Sequence, residues 1–207
     1  MNYTRKLLSF VISFIASLML ITPIYARDVI LEFKAAYFLP TDSVFKQIYH
    51  NGSALYGPEV TVQLCNNKNW YGFASIDYFQ KKGHSIGLCD STKVSLLPLG
   101  IGLKYFVPTF CDRFDFYLGL GFQPVYVRTK NCVECVSTKQ SRWGFGGIAK
   151  AGTYWYLPHN FVIDLFVDYS FVKVGCKNSC QPCSGTIIPR KADISGAIFG
   201  LGLGYRF

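Results

Sequence analysis

The chain ends with Phe199-Gly200-Leu201-Gly202-Leu203-Gly204-Tyr205-Arg206-Phe207, in which an apolar or aromatic residue occupies every second position. In a β-strand, residues two apart lie on the same face, so this stretch has one apolar face and one face of glycines and an arginine. The same two-residue period runs back along the chain as far as Asp28. The sequence therefore predicts an all-β protein.

The segments with this period number eight, and the connections between them alternate in length. The predicted strands cover about 28–38, 59–66, 70–81, 93–107, 113–128, 142–157, 161–174 and 191–207. Long connections at 39–58, 82–92, 129–141 and 175–190 alternate with short ones at 67–69, 108–112 and 158–160. Transmembrane barrels have this asymmetry, and tilted strands of about ten residues cross the hydrocarbon layer. We predict an eight-stranded antiparallel up-and-down transmembrane β-barrel.

The charged residues indicate which face of the barrel meets lipid. In the segment 161–174, Leu165 belongs to the apolar face, whereas Asp164 and Asp168 share the opposite face with Val162 and Phe166. A soluble ligand-carrying barrel would be apolar inside and charged outside. We therefore expect lipid on the apolar face and a network of paired charges in the interior. The predicted network consists of Glu32, Lys34, Asp77, Lys104, Asp115, Lys150, Asp164, Asp168 and Arg206.

The predicted turn at 158–160 fixes one detail of this network. With that turn, Leu157 pairs with Phe161 and Lys150 lies opposite Asp168. Two further charged residues, Glu59 and Arg142, are expected to face water at the rims of the barrel.

The first 26 residues have the order of a secretory signal peptide. A basic segment at 1–6 precedes an apolar run at 7–21, and Ala26 stands before the polar pair Arg27-Asp28. This order predicts export and cleavage after Ala26, which leaves residues 27–207 as the barrel domain. An uncleaved membrane anchor is the alternative.

The closing strand resembles the signal at the end of bacterial outer-membrane proteins that their assembly machinery reads. With the seven preceding strands and the signal peptide, the chain resembles the small outer-membrane β-barrel family that includes OmpA-, OmpX- and OmpW-like proteins. The resemblance covers about residues 28–207. It implies a location in the bacterial outer membrane, insertion by the barrel assembly machinery, and a stabilising, adhesive or minor transport role. The residues that match the closing signal are Phe199, Leu201, Leu203, Tyr205 and Phe207.

The chain departs from that family in having eight cysteines. Those assigned to the long outer connections are Cys89, Cys132, Cys135, Cys176, Cys180 and Cys183, and those near the short turns are Cys65 and Cys111. Even numbers on each side favour disulfides in an exported protein, although the connectivity cannot be read from sequence. One alternative is a zinc site formed by Cys132, Cys135, Cys180 and Cys183, because paired CxxC motifs suit tetrahedral coordination. The other alternative is that the cysteines are free thiols or form bridges between molecules.

The long connections and the adjoining strand ends are basic. The cations of this rim are Lys81, Lys82, Lys93, Arg128, Lys130, Lys139, Lys177, Arg190 and Lys191. Such a rim would attract outer-membrane lipids such as lipopolysaccharide, or acidic sugars on a host or another cell surface. The alternative is a solvated edge adapted to its own membrane. We do not expect nucleic acid as a partner.

No pattern in the sequence predicts catalysis or a cofactor. His50 and His84 fall in outer connections and His159 on the opposite side, so no nucleophile, base and orienting group converge. We expect a structural and surface-interaction role through basic, cysteine-rich extracellular loops. The alternatives are an OmpW-like narrow channel for small, apolar solutes and a lipid-modifying enzyme at the outer rim.

Overall fold

The computed structural model describes residues 28–42, 52–64, 69–84, 91–108, 113–133, 136–175 and 191–207. Its strand segments are β1 (Val29–Pro40), β2 (Ser53–Gln63), β3 (Trp70–Ile76), β4 (Tyr78–His84), β5 (Ser91–Val107), β6 (Phe114–Phe122), β7 (Val125–Val133), β8 (Val136–Tyr156), β9 (Phe161–Gly175), β10 (Lys191–Asp193) and β11 (Gly196–Arg206). Within these ranges, no helix has the length and apolar character needed to cross a membrane.

Antiparallel pairing closes the strands into a ring. The first strand, β1, pairs with β2 on one edge and with β11 on the other, so the last strand seals the barrel against the first. The pairs β8–β9 and β9–β11 complete the ring on the far side. The eleven segments form eight barrel strands, because β3–β4, β6–β7 and β10–β11 are each one interrupted strand. The predicted eight-stranded antiparallel barrel is confirmed.

The three interruptions leave the strand register unchanged. Asp77 donates its N–H to the carbonyl of Pro98, and Leu99 donates to that of Pro124, each at 2.9 Å. Neither proline has an N–H with which to return the bond. Between β10 and β11, Val172 donates its N–H to the Ser195 hydroxyl. The breaks are therefore local losses of backbone hydrogen bonds, and the alternation of inward and outward side chains continues through them.

A tight turn joins β8 to β9 at Pro158–Asn160. His159 and Asn160 have φ of 63° and 64°, a left-handed conformation that asparagine tolerates better than most residues. Leu157 donates its N–H to the Phe161 carbonyl at 2.8 Å, which is the pairing that the sequence predicts. The register that follows places Lys150 opposite Asp168.

Several strands are longer at the end opposite the short turns than the sequence predicts. The second strand begins at Ser53 rather than near residue 59, with Pro58 exposed on the outer face and opposite Phe33. The predicted connection 129–141 is wrong, because β7 continues to Val133 and β8 begins at Val136. The extensions of β7 and β8 are mostly polar in sequence and lack the regular apolar alternation that marks a membrane-spanning segment. We call this end of the barrel the long-loop end and the other the short-turn end.

Some sequence predictions fall outside the described residues. They include the signal peptide at 1–26, two cations of the basic rim and most cysteines: Lys177, Arg190, Cys65, Cys89, Cys111, Cys135, Cys176, Cys180 and Cys183. Cys132 lies in β7 opposite Ser137, so its assignment to a loop is corrected. The disulfide, zinc and free-thiol interpretations all remain predictions.

Candidate functional site

A cluster of charged side chains fills the middle of the barrel. Its members come from five different strands, because the two-residue period turns one residue from each pair toward the lumen. All of them are buried: Glu32 and Lys34 on β1, Glu59 on β2, Lys104 on β5, Lys150 on β8, and Asp164 and Asp168 on β9. We call these seven residues the lumen network.

Glu59 is the centre of the lumen network. The residue is 1% exposed, and its two carboxylate oxygens contact three lysines that reach it from different strands. Oε1 lies 2.5 Å from Nζ of Lys104 and 3.1 Å from Nζ of Lys34, and Oε2 lies 2.9 Å from Nζ of Lys150. One carboxylate therefore ties β2 to β1, β5 and β8 across the barrel.

Further carboxylates surround the same lysines. Lys150 lies 2.7 Å from Oδ2 of Asp168, the residue opposite it in the β8–β9 register. Lys34 lies 3.1 Å from Oδ2 of Asp164 and 3.5 Å from Oε1 of Glu32. Because a buried charge is stable only with partners, these contacts explain how lysines persist in the interior.

Two tyrosines complete the hydrogen bonding. Tyr154 donates its hydroxyl proton to Oε1 of Glu32 at 2.7 Å and accepts from Nζ of Lys104 at 2.7 Å. Tyr117 donates to the carboxylate of Asp164 at 3.0 Å. The Tyr117 ring also lies 4.5 Å from Nζ of Lys104, within the range of a cation–π interaction.

Glycines make room for these long side chains. A Cβ atom at Gly202 would meet Oε2 of Glu32 at 2.7 Å, and one at Gly152 would meet the Tyr117 hydroxyl at 2.6 Å. The interior is therefore filled by side chains from across the barrel, as eight-stranded barrels allow.

An apolar layer closes the lumen between the network and the long-loop end. Phe38 and Phe79 contact each other edge to face, with ring centroids 5.5 Å apart. The cavity in this layer has a volume of about 20 Å³, room for about one water molecule. Its other lining residues include Leu55, Leu96, Val125, Val172, Ile194 and Ile198.

An aromatic layer lies on the other side of the network, toward the short-turn end. The Phe106 ring is stacked on Tyr154 at 5.4 Å and lies 4.4 Å from Tyr71. Ile30 and Val162 are buried in the same cluster. The lumen thus contains an apolar layer, a charged layer and an aromatic layer.

Side chains on the outer surface have the opposite character. Leu120 is 72% exposed, and many other large apolar or aromatic side chains of the strands are exposed as well. They include Phe33, Ile101, Leu103, Leu118, Phe145, Leu165, Val167, Phe171 and Leu203. An apolar belt around a charged interior is the arrangement of a barrel that spans a membrane.

Comparison with solved structures agrees with this arrangement. The outer membrane protein OprG from Pseudomonas aeruginosa is 16% identical, with a TM-score of 0.58, over 88% of this chain and 96% of OprG. Neisserial surface protein A is 15% identical, with a TM-score of 0.52, over 86% of this chain and 97% of that protein. The chain has the fold of the small outer-membrane β-barrels. No family model and no curated protein sequence matches the chain.

In this outer-membrane barrel fold, the predicted lumen residues fall into two groups. Glu32, Lys34, Lys104, Lys150, Asp164 and Asp168 lie in the lumen network, and Asp77 is buried at its long-loop side. Arg206 lies instead at the short-turn end, where Nη2 is 2.7 Å from Oδ2 of the partly exposed Asp28. Asp115, on β6, is partly exposed at the same end. The sequence predicts a single network, whereas the structure divides these residues into a central cluster and a separate pair at the rim.

The sequence reasoning missed the residue at the centre of the barrel. The predicted position of Glu59 at a water-facing rim is wrong, because β2 begins six residues earlier than the sequence predicts. Tyr117 and Tyr154 were also absent from the predicted network. Their positions in the sequence could have placed both in the lumen. Tyr117 shares a strand face with Asp115 and Gly119, and Tyr154 lies four residues from Lys150 on the same face.

The remaining predicted residues lie near the two ends or on the outer face. Phe199, Leu201, Leu203, Tyr205 and Phe207 are exposed on the outer face, and β11 pairs with β1 and β9. At the long-loop end, Lys81 donates to the Gly52 carbonyl at 2.9 Å, Arg128 is exposed, and Lys191 pairs with Gly175. Within the described ranges, no group of three or more His, Cys, Asp or Glu side chains could hold a metal ion.

Proposed function

We propose that the protein is a non-conducting barrel in the bacterial outer membrane that anchors its long loops at the cell surface. Its role is then structural and interactive, through basic and cysteine-rich extracellular loops. The observation that carries this proposal is the filled lumen, in which three successive layers of side chains occupy the interior of the barrel.

The filled lumen argues against the channel alternative. A solute would have to pass the apolar layer, where the cavity has about 20 Å³, and then the lumen network. Passage through the network would separate Glu59 from its three lysines, which leaves buried charges without partners. A barrel of this kind supports loops more readily than it transports solutes.

Export and assembly belong to the same proposal. The edge of β11 pairs with β1 to close the barrel, and Phe207, directly after the strand, donates its N–H to the Val29 carbonyl at 2.8 Å. Assembly machinery that adds this strand last would recognise it by backbone pairing and by the alternate side chains. Deletion of Phe207 should lower the amount of folded, heat-modifiable protein in outer-membrane fractions, while the level of synthesised chain stays constant.

Single-channel recording in planar bilayers tests the central claim. We expect no steady conductance from the purified protein, with a porin reconstituted at the same mass ratio as the positive control. Reproducible conductance steps, or faster uptake of small apolar solutes into liposomes that contain the protein, would favour the channel.

The catalytic alternative has its own measurement. We expect the mass spectrum of lipid A to be the same in cells with and without the protein. A mass change that disappears in a His84→Ala variant would instead support lipid modification at the outer rim.

A surface-contact role requires the long-loop end to face outward. An epitope inserted within residues 176–190 should be labelled by antibody on intact cells, whereas one inserted at 109–112 should be labelled only after the membrane is opened. The reverse pattern would contradict the proposed orientation.

A further inference from the structure

Lysines occupy one register level across four neighbouring strands at the long-loop end. Lys82 on β4 pairs with Lys93 on β5, Lys93 pairs with Lys130 on β7, and Lys130 pairs with Lys139 on β8. We call these four positions the lysine row. Neighbouring strands lie about 4.8 Å apart, so the row spans roughly 14 Å. Like charges directly opposite each other destabilise a sheet, and three such pairs in succession call for an anion as counter-charge.

The described side chains of this region face away from the lumen. Lys82 is exposed and Lys93 is partly buried, while their neighbours Gly83 and Val94 are buried on the inner face. Arg128, two residues before Lys130 on β7, is also exposed. Segments β4, β5, β7 and β8 contain no aspartate or glutamate. Within these four strand segments, the outer face at the long-loop end therefore carries lysine and arginine and no acidic side chain.

Aromatic residues lie below the lysine row on three of its four strands. Tyr126 and Trp143 pair across β7 and β8, with their rings 5.2 Å apart, four residues from Lys130 and Lys139 respectively. Tyr78 lies four residues from Lys82 on β4. Four residues of a strand tilted by about 40° rise roughly 10 Å along the barrel axis. Tyrosine and tryptophan belts mark the headgroup level of a bilayer. The lysine row therefore lies at the outer edge of the headgroup region, and Arg128 lies between the lysines and the aromatic residues.

We propose that the lysine row and Arg128 bind the phosphate groups of a phosphorylated glycolipid in the outer leaflet. The described members of this patch, Lys82, Lys93 and Arg128, face sideways, toward the surrounding lipid, at the level where headgroup phosphates lie. Long cationic side chains can reach this level while their stems cover apolar surface. A ligand from the bilayer fits this placement better than a soluble polysaccharide that approaches from above the loops. This inference rests on the outward orientation of the long-loop end in the proposed function.

Binding of lipid A to the full-length barrel in neutral detergent tests the inference. The two probes are lipid A with both phosphates and the same lipid with its phosphates removed. We expect the triple variant Lys82→Gln, Lys93→Gln, Arg128→Gln to bind the phosphorylated probe about tenfold more weakly or worse, because each lost cation weakens attraction to lipid phosphates. The charge-conserving variant Lys82→Arg, Lys93→Arg, Arg128→Lys should bind within about twofold of the unmodified protein, as should Lys173→Gln on β9.

Several results would overturn the inference. These are equal binding by the neutral triple variant, equal binding of the dephosphorylated lipid, or tighter binding of a soluble sulfated polysaccharide through the same residues. Heat-modified gel mobility checks that each variant folds, and the single variant Arg128→Gln replaces the triple one if that fails. Channel conductance would contradict the proposed function but would not change this binding result. If the long-loop end faces the periplasm, the outer leaflet cannot supply the lipid and the inference fails.

Discussion

Replacement of Glu59 by glutamine removes the central charge of the barrel with little change in shape. The substitution takes a negative charge away from three lysines at 2.5, 2.9 and 3.1 Å. Lys150 keeps Asp168, and Lys34 keeps Asp164. Lys104 loses most, because its other carboxylate, Glu32, lies 3.6 Å away.

The size of the effect follows from these contacts. Removal of one partner from a buried ion pair costs about 3–5 kcal/mol. Since Lys34 and Lys150 each keep a carboxylate within 3.1 Å and Lys104 keeps Glu32 at 3.6 Å, we expect the Glu59→Gln variant to lose about 3 kcal/mol of unfolding free energy, at the lower end of that range. The assay is reversible denaturant unfolding in lipid vesicles, followed by tryptophan fluorescence.

Two further variants make the result specific. Asp28→Asn breaks the partly exposed pair with Arg206 and should cost less than about 1 kcal/mol. The double variant Glu59→Gln, Lys104→Met removes both members of the closest pair and should recover at least half of the loss. If Glu59→Gln costs less than about 0.5 kcal/mol, or the double variant recovers nothing, the account of the network is refuted.

Three other substitutions test separate parts of the barrel. Tyr154→Phe removes the hydroxyl that joins Glu32 to Lys104 and should cost about 1.5–3 kcal/mol in the same assay, and an unchanged midpoint would show that this hydroxyl bond is unimportant. Gly202→Val forces side-chain atoms against Glu32 and should lower the yield of folded barrel in vesicles, whereas normal yield would show that the interior has spare room. Leu203→Lys puts a charge on the lipid-facing surface and should cost about 2–4 kcal/mol in unfolding free energy, and a neutral result would mean that this face does not meet hydrocarbon.

The faces of the strands could be predicted from sequence because a lipid-facing surface and a crowded interior impose opposite demands on alternate residues. Leu165 and Leu201 lie outside, while Lys150 and Asp168 lie inside as a pair. That pairing followed from one turn of known length, since antiparallel register is fixed once the turn is placed.

The ends of strands were harder to predict, for a physical reason. Where β7 and β8 extend beyond Tyr126 and Trp143, their sequence is mostly polar and lacks a regular apolar alternation, so it predicts a long loop in place of the hairpin near Val133. The predicted second strand begins at residue 59, yet Pro58 lies on the outer face inside β2.

The composition of the lumen network could be predicted only in part. Which carboxylate reaches three lysines depends on the stagger of strands across the barrel, and this is a long-range property that local alternation does not contain. Glu59 was misplaced for that reason as well as by the late start of its strand. Tyr117 and Tyr154 are amphipathic, and the alternation pattern alone does not separate a tyrosine that bonds an internal charge from one at the membrane interface.

Fluorescence quenching by brominated lipids tests most directly whether the apolar face meets hydrocarbon while the charges lie within. Trp70, Trp143 and Trp155 are first replaced by phenylalanine, and Leu120→Trp and Phe166→Trp are then compared in that background. Leu120 is 72% exposed on the outer face, and Phe166 is 4% exposed inside the barrel beside Lys34. Bromine at the middle of the acyl chains should strongly quench the tryptophan at position 120 and leave the one at position 166 bright. Quenching at 166 with none at 120 would contradict the account.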